Sequence, residues 1–150
     1  MIKIFIDADA CPVKEEVYKV SIRNKLEVLI VSNGGIRPHP NPLIKSIFVG
    51  KGFNEADEYI LKMVSKDDIV ITNDIPLAAD CIKKGATIIK QNGYVLNENN
   101  IANELSKRNL MTEIREANPL MNFKGKPFSN ADKSNFLNEL EAQIRYLMKQ

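Results

Sequence analysis

The sequence contains little cysteine and little histidine, which excludes several kinds of site. Cys11 and Cys81 are far apart and have no CxxC or Cys/His ligand spacing. Neither a disulfide framework nor a structural zinc site is therefore expected. So few cysteines are typical of a reducing compartment, and we predict a cytoplasmic protein. His39, the only histidine, stands in a proline-rich loop, where we expect a solvated side chain.

Long apolar runs and a large charge excess are also missing. The first apolar run reaches Asp7 after a few residues, which is too short for the apolar region of a signal peptide. No later run approaches the ~20 apolar residues of a membrane span, so no membrane association is predicted. The formal net charge of +2 permits nucleic-acid binding but does not indicate it.

Short apolar runs alternate with helical patterns along the chain. The 150 residues, 44% of them hydrophobic, suit one domain covering 1–150. Apolar strands separated by helices predict an α/β fold, a three-layer sandwich with a mostly parallel sheet of about five strands and helices on both faces. The predicted strands are 2–6, 26–31, 44–49, 69–72 and 86–89.

Three helices are predicted between these strands. Pro12 and Pro76 suit the first turns of two of them, and Gly85 is well placed to end the helix that Pro76 opens. Apolar residues recur at helical spacing in the first two helices, at Val13, Val17 and Val20, and at Ala56, Ile60 and Met63.

A helical segment of about 98–150 is expected to pack on the core. It begins with a helix of four or five turns after Asn97, and a break follows at 118–127. Ser129 with Asp132 then resembles a capping box for a last helix. That helix carries Phe136, Leu140, Ile144 and Leu147 on one face.

Aspartates follow two of the predicted strands. In FIDADACPVK, Asp7 and Asp9 point to the same side of the chain at the end of the first strand. In DIVITNDIPLAAD, Asp74 follows the fourth strand. The carboxyl ends of parallel strands form the ligand-binding edge of an open sheet, so the three acids should converge. Converging carboxylates favour Mg²⁺ or Mn²⁺. A solvated turn and a helix N-cap are the plain alternatives for D-x-D and for Asp74.

Four sequence blocks carry a resemblance to a known family. They are DADACPVK at 7–14, GFNEADEYI at 52–60, VITNDIPLAA at 70–79 and KGA at 84–86. With these blocks the chain resembles the YaiI/YqxD family of uncharacterised bacterial proteins, which is related to PIN-domain nucleases. The tail departs from the family pattern at Asn118, Lys126 and Lys133.

The resemblance to PIN domains implies an acidic Mg²⁺ or Mn²⁺ site that hydrolyses RNA. Its catalytic and metal-binding acids would be Asp7, Asp57 and Asp74, with Asp9 as an addition typical of this family. Thr72 matches the threonine or serine that PIN domains often hold near the metal. Asp80 is the only nearby candidate for a fourth acid.

Helix phase separates Asp57 from its neighbour. Asp57 shares a helical face with Ile60, which should direct its carboxylate toward the sheet. Glu58 instead has Lys62 four residues on, and Asp80 has Lys84 in the same relation. Both acids are therefore expected to form exposed ion pairs.

Four residues are candidates for substrate binding. Lys14 lies in a first helical turn, where a cation opposes the helix dipole and so suggests an anionic neighbour. Asn33 and Arg37 lie in the irregular loop SNGGIRPHPNP, and Thr72 is the fourth. Six basic residues between Lys107 and Lys133 could also contact single-stranded RNA, with a charged surface as the alternative.

These features predict a metal-dependent ribonuclease, with two rivals. A haloacid-dehalogenase-type phosphatase also has a D-x-D after its first strand, and Ser32 imitates a later motif of that family. That family needs a flap after its D-x-D, whereas Pro12 starts a helix at once. A non-catalytic RNA-binding or regulatory module, in which the acids bind metal for stability, is the second rival.

Overall fold

The computed structural model describes residues 2–8, 11–52, 54–121 and 127–149. Strands and helices alternate through most of this part of the chain, and two helices close it. In chain order the elements are β1 (Lys3–Asp7), α1 (Lys14–Arg23), β2 (Glu27–Ser32), β3 (Ile44–Phe48), α2 (Glu55–Met63), β4 (Ile69–Ile71), α3 (Ile75–Lys83), β5 (Thr87–Ile89), β6 (Val95–Leu96), α4 (Ile101–Ala117) and α5 (Asn130–Met148).

The strands form one sheet in the order β3-β2-β1-β4-β5-β6. Neighbouring strands are parallel except β6, which runs antiparallel to β5. The five predicted strands are confirmed, and β6 is an addition of two residues, too short to show a periodicity. The strand order reverses at β1, which pairs with both β2 and β4. Ligands of open α/β sheets bind at such a reversal, beyond the carboxyl ends of the strands.

Apolar clusters cover both faces of the sheet, which confirms the three-layer α/β prediction. Ile4 and Ile6 of β1 belong to one cluster, together with residues of α1 and α5. Phe5, between them, belongs to the other cluster, with residues of α2 and α3. Because side chains alternate along a strand, β1 is fully buried only when both faces are covered. All three side chains have no exposed surface.

Two predicted capping signals lie at the starts of helices, and one residue predicted to be buried is exposed. Ser129 and Asp132 form the capping box of α5, and the Asp74 side chain caps α3 by accepting from the Leu77 N–H at 2.9 Å. Met63, predicted on the buried face of α2, is 41% exposed because α2 ends there and the next residue, Val64, is buried instead.

The two C-terminal helices differ in how they pack. α5 buries Phe136, Leu140, Ile144 and Leu147 as predicted. α4 has no buried residue, and Ile101 and Leu105 in its first turns pack against the core. The packing of the whole 98–150 segment stays a prediction, because part of that segment lies outside the described residues. In the described part of the chain, no helix has the length and apolar character to cross a membrane.

Candidate functional site

Two of the predicted acids meet through one buried hydroxyl group. Asp7 is the last residue of β1, and Asp74 follows β4. Between them, the Thr72 hydroxyl donates to Asp7 Oδ2 at 3.0 Å and accepts from the Asp74 N–H at 3.0 Å. Thr72 has no exposed surface. Its hydroxyl therefore holds the end of β1 against the start of α3.

Asp57 completes the group from the first turn of α2. Burial raises its pKa from 3.8 to about 6, with further contributions from the negative charges of Asp74 and Asp7 and from a side-chain hydrogen bond with Asp74. Two carboxyl groups in hydrogen-bond contact cannot both ionise easily, so this pair retains a proton more readily than an isolated aspartate. The structure thus brings Asp7, Asp57 and Asp74 together.

The neighbours of Asp57 confirm the helix phase but not the expected ion pairs. Asp57 is half-buried, whereas Glu58 and Asp80 are exposed. The Lys84 ammonium donates to the carbonyl oxygen of Leu61 rather than to Asp80. The ion pairs of the described residues include neither Asp80–Lys84 nor Glu58–Lys62. Lysine side chains on an exposed face gain too little from such a pair to hold it.

The three acids lie in a solvent-open cleft of about 450 Å³, a size usual for ligand sites. Two loops complete its wall. The loop after β2 contributes Ser32, Asn33, Gly34 and Ile36, and the residues around the start of α2 contribute Lys51, Gly52, Asn54, Glu55 and Ala56.

Sequence reasoning missed Lys51, Asn54 and Glu55 as residues of this cleft. The sequence feature that accompanies them is the pair of glycines, Gly50 and Gly52, in front of α2. A Cβ on Gly52 would lie 2.8 Å from Glu55 Oε1, and one on Gly50 would lie closer still to the same carboxylate. The carboxylate end of the flexible Glu55 side chain therefore lies against both glycines.

The other predicted site residues are placed differently. Asn33 lines the cleft, but Lys14 and Arg37 are not part of its wall. Lys14 begins α1, and its charge acts on the Cys11 thiol. Arg37 is exposed and follows Ile36, the last cleft residue of its loop. Asp9 lies outside the described residues, as do Lys124 and Lys126 of the basic segment.

Thr72 was predicted to bind substrate, yet it is fully buried with its hydroxyl engaged on both sides. A hydroxyl proton donated to Asp7 is not available to a ligand. Thr72 is therefore a positioning residue for the two aspartates.

The histidine and the cysteines lie apart from this chemistry. His39 is half-buried rather than solvated. Its ring meets the Tyr18 ring edge-on, with the two ring centroids 5.1 Å apart, and its Nδ1 accepts from the Asn41 N–H. Cys11 and Cys81 are free and buried. Burial raises the pKa of both thiols, that of Cys81 to about 12, so neither is a reactive thiolate.

The described side chains do not by themselves form a complete metal cage. Within residues 2–8, 11–52, 54–121 and 127–149, no group of three or more histidine, cysteine or acidic side chains is arranged to hold an ion. Magnesium commonly takes only one or two carboxylates and completes its shell with water and phosphate oxygens. An incomplete group of acids at a cleft is compatible with that kind of binding.

Comparison with known proteins identifies relatives over nearly the whole chain. A UPF0178 protein of Cereibacter sphaeroides strain KD131 is 47% identical over 97% of this chain and 90% of its own. A UPF0178 protein of Ruegeria pomeroyi is 45% identical over 97% and 95%, and one of Rhodopseudomonas palustris strain TIE-1 is 45% identical over 98% and 92%. No solved structure matched. The family described as "Uncharacterized BCR, YaiI/YqxD family" matches residues 5–146, and the chain therefore belongs to the YaiI/YqxD family.

Proposed function

We propose that the protein is a metal-dependent ribonuclease that hydrolyses RNA phosphodiesters in the acidic cleft. The observation that carries the proposal is the link from Asp7 through the Thr72 hydroxyl to Asp74, with Asp57 hydrogen-bonded to Asp74. Asp74 also caps α3 by accepting from the Leu77 N–H, but it contacts Asp57 as well, and all three acids line one cleft that is open to solvent.

The donor set fits Mg²⁺ or Mn²⁺. Carboxylate oxygens are the hard ligands that both ions prefer. One or two of Asp7, Asp57 and Asp74 would hold the ion together with water and phosphate oxygens, and the ion would supply positive charge to activate water and to neutralise the phosphate. Asp9, which the family pattern adds, belongs to the same proposal.

Each nearby residue has a role in this proposal. Thr72 keeps Asp7 and Asp74 at a constant separation, so little reorganisation is needed when a ligand arrives. A cation that enters the site displaces the proton that Asp57 retains near pH 6. Metal binding should therefore strengthen as the pH rises through that value. Lys51 and Asn33, on the wall of the cleft, are placed to donate to a phosphate.

The rival phosphatase interpretation finds less support. Ser32 lines the cleft, as that interpretation requires. However, β1 ends at Asp7 and α1 begins at Lys14, so only 8–13 separate them. Such a short connection has no room for the flap that covers the site of those phosphatases.

The cytoplasm stays our proposed compartment, because both cysteines are free thiols.

The test combines a metal titration with an RNA assay. Mn²⁺ should raise the melting temperature of the purified protein, since a ligand that binds only the folded state stabilises it. The protein should cleave generic single-stranded RNA with Mn²⁺ and stop when a chelator is added. Asp57→Asn should abolish cleavage, whereas Glu58→Gln, the adjacent and exposed control, should keep it.

Two results would contradict the proposal. A melting temperature that ignores millimolar Mg²⁺ and Mn²⁺ would argue against any metal site. Equal damage from Glu58→Gln and Asp57→Asn would show that the assigned acid is wrong.

A further inference from the structure

A basic groove runs along α4, outside the acidic cleft. It encloses about 340 Å³ between α4, the start of α3 and the residue after β5. Its charged residues are four cations and one carboxylate. They are Lys90, Lys107, Arg108, Arg115 and Glu104, and the last is paired with Lys107 at 3.5 Å.

The cations that α4 gives to the groove share one side of the helix, together with Glu104. At roughly 100° per residue, Lys107, Arg108, Met111 and Arg115 fall on one side of the helix. Glu113 falls on the opposite side, so it does not neutralise the groove. Arg108 and Arg115 are both exposed. The groove therefore presents a positive surface to solvent.

A passage joins this groove to the acidic cleft. It encloses about 490 Å³ between α2, α3 and α4, and Asp57 and Asp74 line both the passage and the cleft. At its other end Arg108 lines both the passage and the basic groove. Two acids, Glu58 and Asp80, stand on its wall. The three cavities therefore adjoin in a path from the aspartates to the cations, and four acids, with Arg108, line its middle part.

We propose that the basic groove holds the phosphate backbone of a single nucleic-acid strand whose reacting phosphate lies in the acidic cleft. The proposal rests on the ribonuclease function and adds the direction in which the substrate leaves the site. Arg108 and Arg115 lie about 10 Å apart along the helix axis, which places them on successive parts of a strand rather than on one phosphate.

A single strand fits this path better than a duplex. The acids lie in a cleft of about 450 Å³, which admits a small ligand or one unpaired nucleotide. The guanidinium groups can bind phosphate with two hydrogen bonds each. Met111, 38% exposed between the two arginines, offers an apolar contact to a base or a sugar.

The test measures RNA binding without cleavage. A labelled single-stranded RNA of about 12 nucleotides, close to the site sizes of single-strand binders, is titrated with protein in chelator between about 50 and 200 mM salt. The variant Lys90→Gln, Arg108→Gln, Arg115→Gln removes three cations of the groove. Its control, Lys19→Gln, Lys25→Gln, Lys149→Gln, removes three exposed cations from the side of the sheet where α1 and α5 pack.

The groove variant should bind more weakly than wild type, and its salt slope should be smaller by about 2, since each single-strand phosphate contact contributes about 0.7. The control should bind as wild type does. Circular dichroism should show the same helix content in all three proteins. Equal binding of a DNA strand of the same sequence would support the proposal, because the phosphates are the shared chemistry. A groove variant with wild-type affinity and salt slope would overturn it.

A second assay separates this proposal from the ribonuclease function. Hydrolysis of bis(4-nitrophenyl) phosphate with Mn²⁺ tests the acidic cleft, because that diester has no flanking nucleotides to extend along α4. If the diester is hydrolysed but the groove substitutions leave RNA binding unchanged, the groove proposal fails and the ribonuclease function stands. If binding depends on the groove but neither the diester nor RNA is hydrolysed, the groove binds a strand, but the reacting phosphate and the ribonuclease function are both overturned.

Discussion

Aspartates occupy both ends of the sheet, and they are partnered in opposite ways. At the amino end, Asp68 is 2% exposed and accepts from the Lys3 N–H at 3.0 Å and the Ser65 N–H at 2.9 Å. The Lys3 ammonium lies 3.9 Å from the same carboxylate. At the carboxyl end, Asp57 is less buried but contacts another carboxyl group, that of Asp74.

Burial is the largest cause of the raised Asp57 pKa, yet Asp68 is buried further, so the two acids also differ in their partners. Each oxygen of Asp68 has a donor, so its charge stabilises the fold. Asp57 gains nothing comparable from the fold, and its raised pKa records the cost of ionising it there. A site that stays electrostatically unfavourable until a cation arrives is typical of metal-binding acids. Five substitutions can break or sharpen this contrast.

The largest effect is expected from Asp68→Ala. It would leave the part-buried N–H groups of Lys3 and Ser65 without the Asp68 acceptor, and we expect a loss of about 3 kcal/mol in the free energy of unfolding. Urea denaturation at neutral pH measures it, with the exposed Asp80→Asn as control. A loss below about 1 kcal/mol would remove the contrast between the two ends.

A loss of about 2 kcal/mol is expected from Thr72→Val, which keeps the side-chain shape but removes the hydroxyl. Asp7 would lose a donor and the Asp74 N–H would lose its acceptor. Thr72→Ser keeps the hydroxyl and should keep the Mn²⁺-dependent shift in melting temperature, while Thr72→Val should reduce it. Equal shifts in the two variants would mean that the hydroxyl does not position the acids.

A smaller effect of opposite sign is expected from Asp57→Asn in metal-free protein. The substitution removes an ionised carboxyl that is unfavourable at pH 7, and screening by solvent limits the gain to the order of 1 kcal/mol. Destabilisation of the metal-free protein by this substitution would contradict the assigned environment.

The same substitution has a pH signature. The pKa of Asp57 is raised to about 6 in the folded protein, above its ordinary 3.8. Between these values the folded state binds more protons at this group than the unfolded state does, so its contribution to stability falls as the pH rises. The stability of wild type minus that of Asp57→Asn should therefore decrease from about pH 4 to about pH 6 and level off above. Urea titrations of both proteins across that range measure the difference.

The smallest effects are expected from Glu58→Gln and Asp80→Asn. Both side chains are exposed, and neither takes part in an ion pair among the described residues. Each substitution should therefore change the free energy of unfolding by no more than about 0.5 kcal/mol. The Mn²⁺ concentration at half-maximal stabilisation should also remain that of wild type. A shift from Asp80→Asn would make it the fourth acid of the site.

Much of the fold could be predicted because its strands are buried on both faces. Ile4, Phe5 and Ile6 pack alternately on the two clusters, so β1 is an unbroken apolar run in the sequence. β6 could not be predicted, since two residues carry no period and the strand exists only by pairing with β5. Nor could the exposure of α4 be predicted, because Leu110 and Met111 are apolar yet exposed in the described part of the chain.

The acids of the site could be predicted from their positions at strand ends and from helix phase. Asp57 and Asp74 are brought into contact by the fold, although 17 residues separate them in the chain. Lys51 escaped notice because a loop of irregular backbone places it, and loops have no periodicity to reveal a side chain's direction. Glu55 is the first residue of α2 and has no preceding helical turn to set its phase. Thr72 was recognised, but its burial, which decides its role, depends on contacts across the sheet.

The absence of buried residues from α4 also has a consequence for its backbone amides. Local opening of a helix costs little when no apolar side chain must leave the core, so these amides should exchange with solvent far faster than those of α5. The same looseness makes α4 the part of the described chain whose exchange a bound strand would slow the most. Deuterium uptake along this one helix would then follow occupancy of the groove, residue by residue, without any label on the ligand.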